Sequence, residues 1–461
     1  MTRRPLLAVA LLASVAPALP AQQKEAPPPV APPAPRALPA RRTFTLPNGL
    51  RVALVPYGSV PKALVRLYVR TGAIDQGPAQ TWLAQLTADL LNEGTVARSG
   101  AEVAELVAGM GGSLGIGASD EVTTLSAEVL GERAADAVAL VAEVAQQPRF
   151  PEGEFARVRA GRLRQLAIAR SRPQTLAMER MASLMFGDHP FGRVLPTEAS
   201  FGALTLADAR AFWQANAGAQ RSTLYVIGVF DAKAVEAAVR ARFAGWTKGP
   251  APSVRPPAPR AGRRLEVIDR PKAPQSTLIT GLPVAGPSSP DWIPLEVTDA
   301  LLGGAFGSRI TANIREAKGY TYSPFSSVDD AGGVAIWSEM ADVTTNVTGA
   351  ALTEIFKEAE RLRGEAPPAA ELAGIKNNLV GLKTLQTVSR GGLAANYWFA
   401  ESNGLGEAYL RDYAKRVMAV TPEQVRSTAR QYLDPAKMAI VVVGDTAVVN
   451  AQLAPFTAAV P

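Results

Sequence analysis

Two distant stretches of this chain lie side by side without a gap. TLADARAFWQANAGAQRSTLYVIGVF begins at Thr205, and TPEQVRSTARQYLDPAKMAIVVVGDT begins at Thr421. Thr205 then meets Thr421, Arg210 meets Arg426 and Gly228 meets Gly444. Each stretch reads as a helix opened by Thr with an acid soon after, then a loop, then a β-branched strand stopped by Gly. The beginnings of the two halves also correspond. VPKALVRLYVRTGA from Val60 and RPKAPQSTLITGLPVAG from Arg270 share Pro-Lys-Ala, at 61–63 and 271–273. Matches in the same order at both ends of each half mark a duplication rather than a chance likeness of two helix–strand pieces. RVALVPY and ALVRLYVRTGA alternate like paired strands, and strands and helices are grouped rather than strictly alternating. The expected fold is α+β: two homologous domains, each a mainly antiparallel sheet with helices packed on one face.

The boundaries follow from composition. At 461 residues the chain is too long for one core. MTRR followed by PLLAVALLASVAPAL is a positive stretch and a short, Pro-interrupted apolar run. It reads as a cleaved signal peptide over residues 1–21, the competing reading being a membrane anchor. Residues 22–42, including the Pro- and Ala-rich QQKEAPPPVAPPAPRALPA, are expected as a disordered tether. Residues 43–246 form the expected first domain, 247–264 (TKGPAPSVRPPAPRAGRR) a linker, and 265–457 the second domain. The signal peptide makes the expected location the periplasm or otherwise outside the cytoplasm, and no other stretch is apolar enough to span a membrane.

Residue counts exclude much chemistry. There is one histidine, His189, and no cysteine. A His-dependent triad has one candidate, a cysteine nucleophile none, and a His/Cys zinc site one candidate ligand. His189 lies in FGDHPFGR, where a loop histidine held by hydrogen bonds is the plain reading. Ser59-Val60-Pro61-Lys62 fits Ser-x-x-Lys, but Pro61 stands between two strands and no Lys-Thr-Gly follows, so the match is coincidental. GMGGSLGIGAS (Gly109–Ser119) lacks the strand–turn–helix setting of a phosphate loop and reads as a turn into a strand. The net charge of +7 is spread among interleaved acids and bases, which argues against a nucleic-acid partner.

Leu90-Leu91-Asn92-Glu93-Gly94-Thr95 closes a helix after the first strand pair. With HPFGR and the duplicated halves, it resembles the pitrilysin/insulinase family of zinc metallopeptidases, over roughly Phe44 to Phe456. Active members carry H-x-x-E-H on this helix: residues four apart share a helical face, so both His reach one zinc and the Glu activates its water. Anchored on Gly94-Thr95, the resemblance puts Gln85 and Asp89 at the two His positions and Ala88 at the Glu. The family's third ligand, a Glu seven residues after an Arg-Glu pair, falls on Gln165, with Arg157 kept and Val158 as its neighbour. All four metal positions are changed, and one carboxylate with two amides is a poor zinc site.

NIREAKGYTYSPFS (Asn313–Ser326) resembles the stretch carrying the family's substrate-contacting Arg and Tyr, here Arg315 and Tyr322. Both are donors able to bind a peptide carbonyl and a developing oxyanion; packing residues are the plain alternative. LLGGAFGSRI (Leu301–Ile310) is similar to the family's Gly-rich segment, or is a structural turn. The resemblance therefore implies the non-catalytic chain of a two-chain zinc endopeptidase. The zinc would sit on an insulinase-family partner in a heterodimer, the substrate would be an extended peptide added to a sheet edge, and this chain would carry no cofactor. A periplasmic peptide-binding or scaffold protein without a hydrolytic role is the alternative. An autonomous hydrolase built on other residues is disfavoured by the single histidine and the lack of cysteine.

Overall fold

The computed structural model describes residues 37–252 and 255–457. The expected signal peptide, most of the tether, and Ser253 and Val254 of the linker fall outside these residues. Two sheets organise the chain. The first holds β1 (Arg42–Thr45), β2 (Arg51–Pro56), β3 (Lys62–Val69), β4 (Ser113–Ala118), β5 (Thr123–Leu130) and β6 (Ser222–Gly228), in the order β1-β2-β6-β3-β5-β4. The second holds β7 (Arg264–Asp269), β8 (Gln275–Val284), β9 (Phe325–Ala331), β10 (Val334–Thr344) and β11 (Ala439–Gly444), in the order β7-β11-β8-β10-β9.

Apart from β1 the two orders are the same. In each half the last strand inserts between the first two, parallel to the first (β2 with β6, β7 with β11) and antiparallel to the second. The remaining pairs are antiparallel, as expected. The duplication read from the sequence is thus a duplication of topology. Its clearest local sign is at the helices leading into the inserted strands. Thr205 caps Leu206–Asn216 and Thr421 caps Pro422–Tyr432, each by a reciprocal capping box, with Asp208 and Gln424 respectively. The hydroxyl accepts the third N–H of the helix while the third side chain returns to the Thr N–H.

The helices that position the site are α1 (Leu83–Leu91), α2 (Glu152–Ser171), α3 (Pro173–Phe186), α4 (Trp292–Asp299), α5 (Ala369–Gln386) and α6 (Arg390–Ser402). Each half packs its main helices on one face of its own sheet, giving two large cores. The central strands do not alternate, however: every residue of β6 and β11 is buried. That requires cover on both faces, and each half supplies it to the other. Ala177, Met181 and Met185 of α3, spaced at i, i+4 and i+8, pack on Ile279, Ala439, Val441 and Val443 of the second sheet. Leu393, Ala394 and Tyr397 of α6 pack on Ala53, Val55, Leu64, Tyr68, Tyr225 and Ile227 of the first. Burying each methionine contributes roughly 1.5–3 kcal/mol, so the exchange fastens the halves to each other.

The chain before β1 joins this arrangement. Arg41 pairs with Glu401 and Glu407 of the second half and stacks on Tyr397, its Cζ 4.9 Å from the ring centroid. Residues 37–41 of the expected tether are therefore docked rather than free. The linker is pinned as well. The Arg260 N–H donates to Met185 O at 2.8 Å, and Arg264, its last expected residue, opens β7.

Candidate functional site

Helix α1 buries Leu83, Ala84, Leu86, Thr87, Ala88, Leu90 and Leu91. Gln85 and Asp89, one turn apart, are left half-buried on the face toward α2. Ala88 is wholly buried in the core. At the centre of the positions that the resemblance aligns with the family's metal site stands Arg162 of α2. Its Nε donates to Asp89 Oδ2, and its Nη2 donates to Asp89 Oδ1 at 2.7 Å and to the Gln85 carbonyl at 3.3 Å. Its Nη1 donates to Gln165 Oε1 at 3.1 Å. Gln85, Asp89 and Gln165 are thus brought together, but around a guanidinium.

The flanking residues keep their frame. Arg157 pairs with Glu93 at 2.6 Å and Glu154 at 2.7 Å, and Val158 is buried. The Gln85 amide oxygen is buried without a hydrogen-bond partner. Zinc does not fit these residues. The one carboxylate is committed to a fixed cation on both oxygens, and a divalent ion would be repelled by it. Among the described residues no group of three or more His, Cys, Asp or Glu could hold a metal ion. His189 is held in the loop as read from the sequence: Nδ1 accepts from the Phe191 N–H at 3.3 Å, and Nε2 lies 3.0 Å from Arg255 O.

In the second half the Arg and Tyr singled out from the sequence meet. Arg315 lies on a π-helical turn, Thr311–Ala317. Its Cζ sits 5.0 Å from the Tyr322 ring centroid and 4.6 Å from that of Phe306. The guanidinium is therefore sandwiched between two rings that are 80% and 78% exposed. Each such stack contributes about 0.5–1 kcal/mol at an exposed site and fixes the plane of the guanidinium. Glu316, 3.2 Å from Nε, is its ion-pair partner. Sequence reasoning missed Phe306, although it lies inside the Gly-rich segment that was singled out. The signal was available: a large apolar residue flanked by Gly303, Gly304 and Gly307 has little to bury against. The arrangement presents planar guanidinium donors beside two exposed aromatic rings. The one carboxylate in this cluster, Glu316, is paired with the guanidinium.

Comparison with known proteins agrees with this architecture. The family model described as Insulinase (Peptidase family M16) matches residues 51–197, and that described as Peptidase M16 inactive domain matches residues 203–379. An uncharacterized zinc protease of Streptomyces coelicolor is 28% identical over 404 residues, covering 85% of this chain and 87% of the relative. An uncharacterized zinc protease of Mycobacterium tuberculosis is 29% identical over 420 residues, covering 86% and 91%. Among solved structures, the peptidase M16 inactive domain from Pseudomonas fluorescens superposes with a TM-score of 0.80 at 24% identity, covering 88% of this chain and 98% of that one. A protease from Helicobacter pylori gives 0.82 at 19%, covering 88% and 100%. These structures share the fold.

Proposed function

The chain belongs to the peptidase M16 (insulinase) family, and on that premise we propose that it is a zinc-less, non-catalytic subunit of a two-chain metalloendopeptidase. One observation carries the reading. Arg162 fills the space between the positions aligned with the family's metal ligands, while Arg315 and Tyr322, aligned with its substrate-contacting pair, lie against each other.

In this reading the partner chain carries zinc and its bound water. The peptide lies extended, adding a strand to a free sheet edge; β4 and β9 are the edge strands of the two sheets on that side. Arg315 and the Tyr322 hydroxyl donate to the scissile carbonyl and orient it, and this chain closes the chamber around the peptide. The expected signal peptide would place the complex outside the cytoplasm. No helix among the described residues is long and apolar enough to cross a membrane.

The test is association. The mature chain is mixed with a zinc-bearing family chain from the same cell and followed by size exclusion with light scattering. The reading expects a one-to-one complex with zinc in the partner alone. Two chains that elute separately, with this one still binding peptide, would favour the scaffold alternative.

A further inference from the structure

Strand β10 alternates, and Ala335, Trp337, Glu339, Ala341 and Val343 all point to the core. An acid in such a row is out of place, and Glu339 is completely buried. Neither carboxyl oxygen has a partner at normal hydrogen-bond geometry; the backbone N–H of Phe325 is the donor that bears on it. Beside it Asp299, the last residue of α4, accepts from Ser326 Oγ at 2.5 Å and Trp337 Nε1 at 2.8 Å.

Both carboxyls press on the underside of the Gly-rich segment. A Cβ at Gly303 would stand 2.5 Å from Glu339 Oε2 and from Ser326 Oγ, and one at Gly304 would stand 2.5 Å from Asp299 Oδ2. The two glycines are what allow the carboxyls this close to the backbone. Gly303 and Gly304 end a second π-helical turn, Ala300–Gly304, and such turns recur at functional sites. Two residues further on is Phe306, one of the rings that sandwich Arg315.

The surrounding charges do not neutralise the pair. Asp329 of β9 and Glu296 of α4 bear on Asp299, and both are acids. In register, Glu339 lies between Thr280 of β8 and Ser326 of β9. From α5, Lys383 faces Glu296, and Glu371 is held by Arg309. From the helix Thr348–Gly364, Glu354 and Glu358 are engaged by Asn313. Burial pushes Asp299 up to about 7, and burial with Asp299 alongside raises Glu339 well above the carboxylate range. The neutral pair suits its site. The ionised pair would place two like charges against one backbone turn.

We propose that Asp299 and Glu339 form a proton-operated latch beneath residues 300–308. With the pair protonated, the segment closes over it and holds Phe306 against Arg315. With the pair ionised, the segment lifts and the aromatic sandwich opens. As regulation of peptide engagement, the latch rests on the role given above to Arg315 and Tyr322; as a conformational device it does not.

The test is hydrogen–deuterium exchange of the full chain between pH 5.5 and 8.5, corrected for the intrinsic rate. Protection of amides in 300–308 falls at least tenfold from pH 6 to 8.5, while β6 stays within twofold. In Glu339→Gln the fall is abolished, and Asp299→Asn, a second neutral isostere, reduces it. Unchanged protection in the unsubstituted chain, or the same fall in both variants, overturns the latch. Peptide affinity measured over the same range separates the two ideas. A segment that opens while affinity stays flat leaves the latch standing and removes its link to substrate.

Discussion

Arg162 places a cation among the positions aligned with the family's metal site, and this can be tested by building that site here. Gln85→His, Asp89→His and Gln165→Glu install the family's three ligands, and Ala88→Glu its water-activating acid. Zinc placed about 4.5 Å from the guanidinium, at an effective dielectric near 20, is opposed by roughly 7 kcal/mol. The Arg162 side chain is 21% exposed, so it can swing toward solvent and relieve part of this. A residual penalty of about 3 kcal/mol corresponds to roughly a hundredfold in Kd. The fourfold variant should therefore bind zinc about a hundredfold more weakly than the same variant carrying Arg162→Ala. A competition titration against a fluorescent chelator reads the difference, with circular dichroism confirming that both are folded. Equal affinities would refute the reasoning, because Arg162 would then not occupy the metal's place.

Three further outcomes follow from the fold. Thr205→Ala and Thr421→Ala each remove one side of a capping box and should each cost about 1 kcal/mol, read from chemical denaturation midpoints. Tyr397→Ala empties a fully buried position of the exchanged helix, where the ring stacks on Tyr225 with centroids 6.4 Å apart; it should cost about 3–5 kcal/mol. Although Tyr397 belongs to the second half, the amides whose protection drops should be those of β3 and β6 in the first. Burial also pushes Glu296 up to about 7, against the opposing Lys383. Since the fold favours the neutral forms of Asp299 and Glu296, their contribution is whole below about pH 4 and is lost as pH rises through 7. Glu296→Gln should flatten the decline in melting temperature between pH 5 and 8.

The sequence made some of this legible and hid the rest for physical reasons. The duplication could be read because a cap and a strand-ending glycine recur at fixed spacing, Thr205 with Gly228 and Thr421 with Gly444. The exchange of α3 and α6 could not, since a stripe such as Ala177, Met181 and Met185 announces a buried face but not which sheet it covers. Strands β6 and β11 carried a trace of it, as continuous apolar runs need cover on both sides. The resemblance put Gln85, Ala88, Asp89 and Gln165 at the family's metal-site positions, with no histidine among them. Arg162 was not legible, because it stands in a helix with Arg157, Arg159 and Arg164, and such a run reads as a solvated basic face. Arg315 and Tyr322 were found through a family resemblance, and Phe306 needed the fold to bring the Gly-rich segment beside them. Glu339 escaped notice because an acid in a strand is ordinarily assigned to the solvent side.

The central claim is that this chain contributes substrate contacts to a reaction whose metal lies elsewhere. The most direct measurement is cleavage of a quenched fluorescent peptide library by the chain alone, by a zinc-bearing family chain from the same cell alone, and by the mixture, each with and without chelator. The account predicts chelator-sensitive cleavage in the mixture well above either chain alone, falling at least tenfold when this chain carries Arg315→Ala. Chelator-indifferent cleavage by this chain alone, or a mixture unaffected by Arg315→Ala, would contradict it.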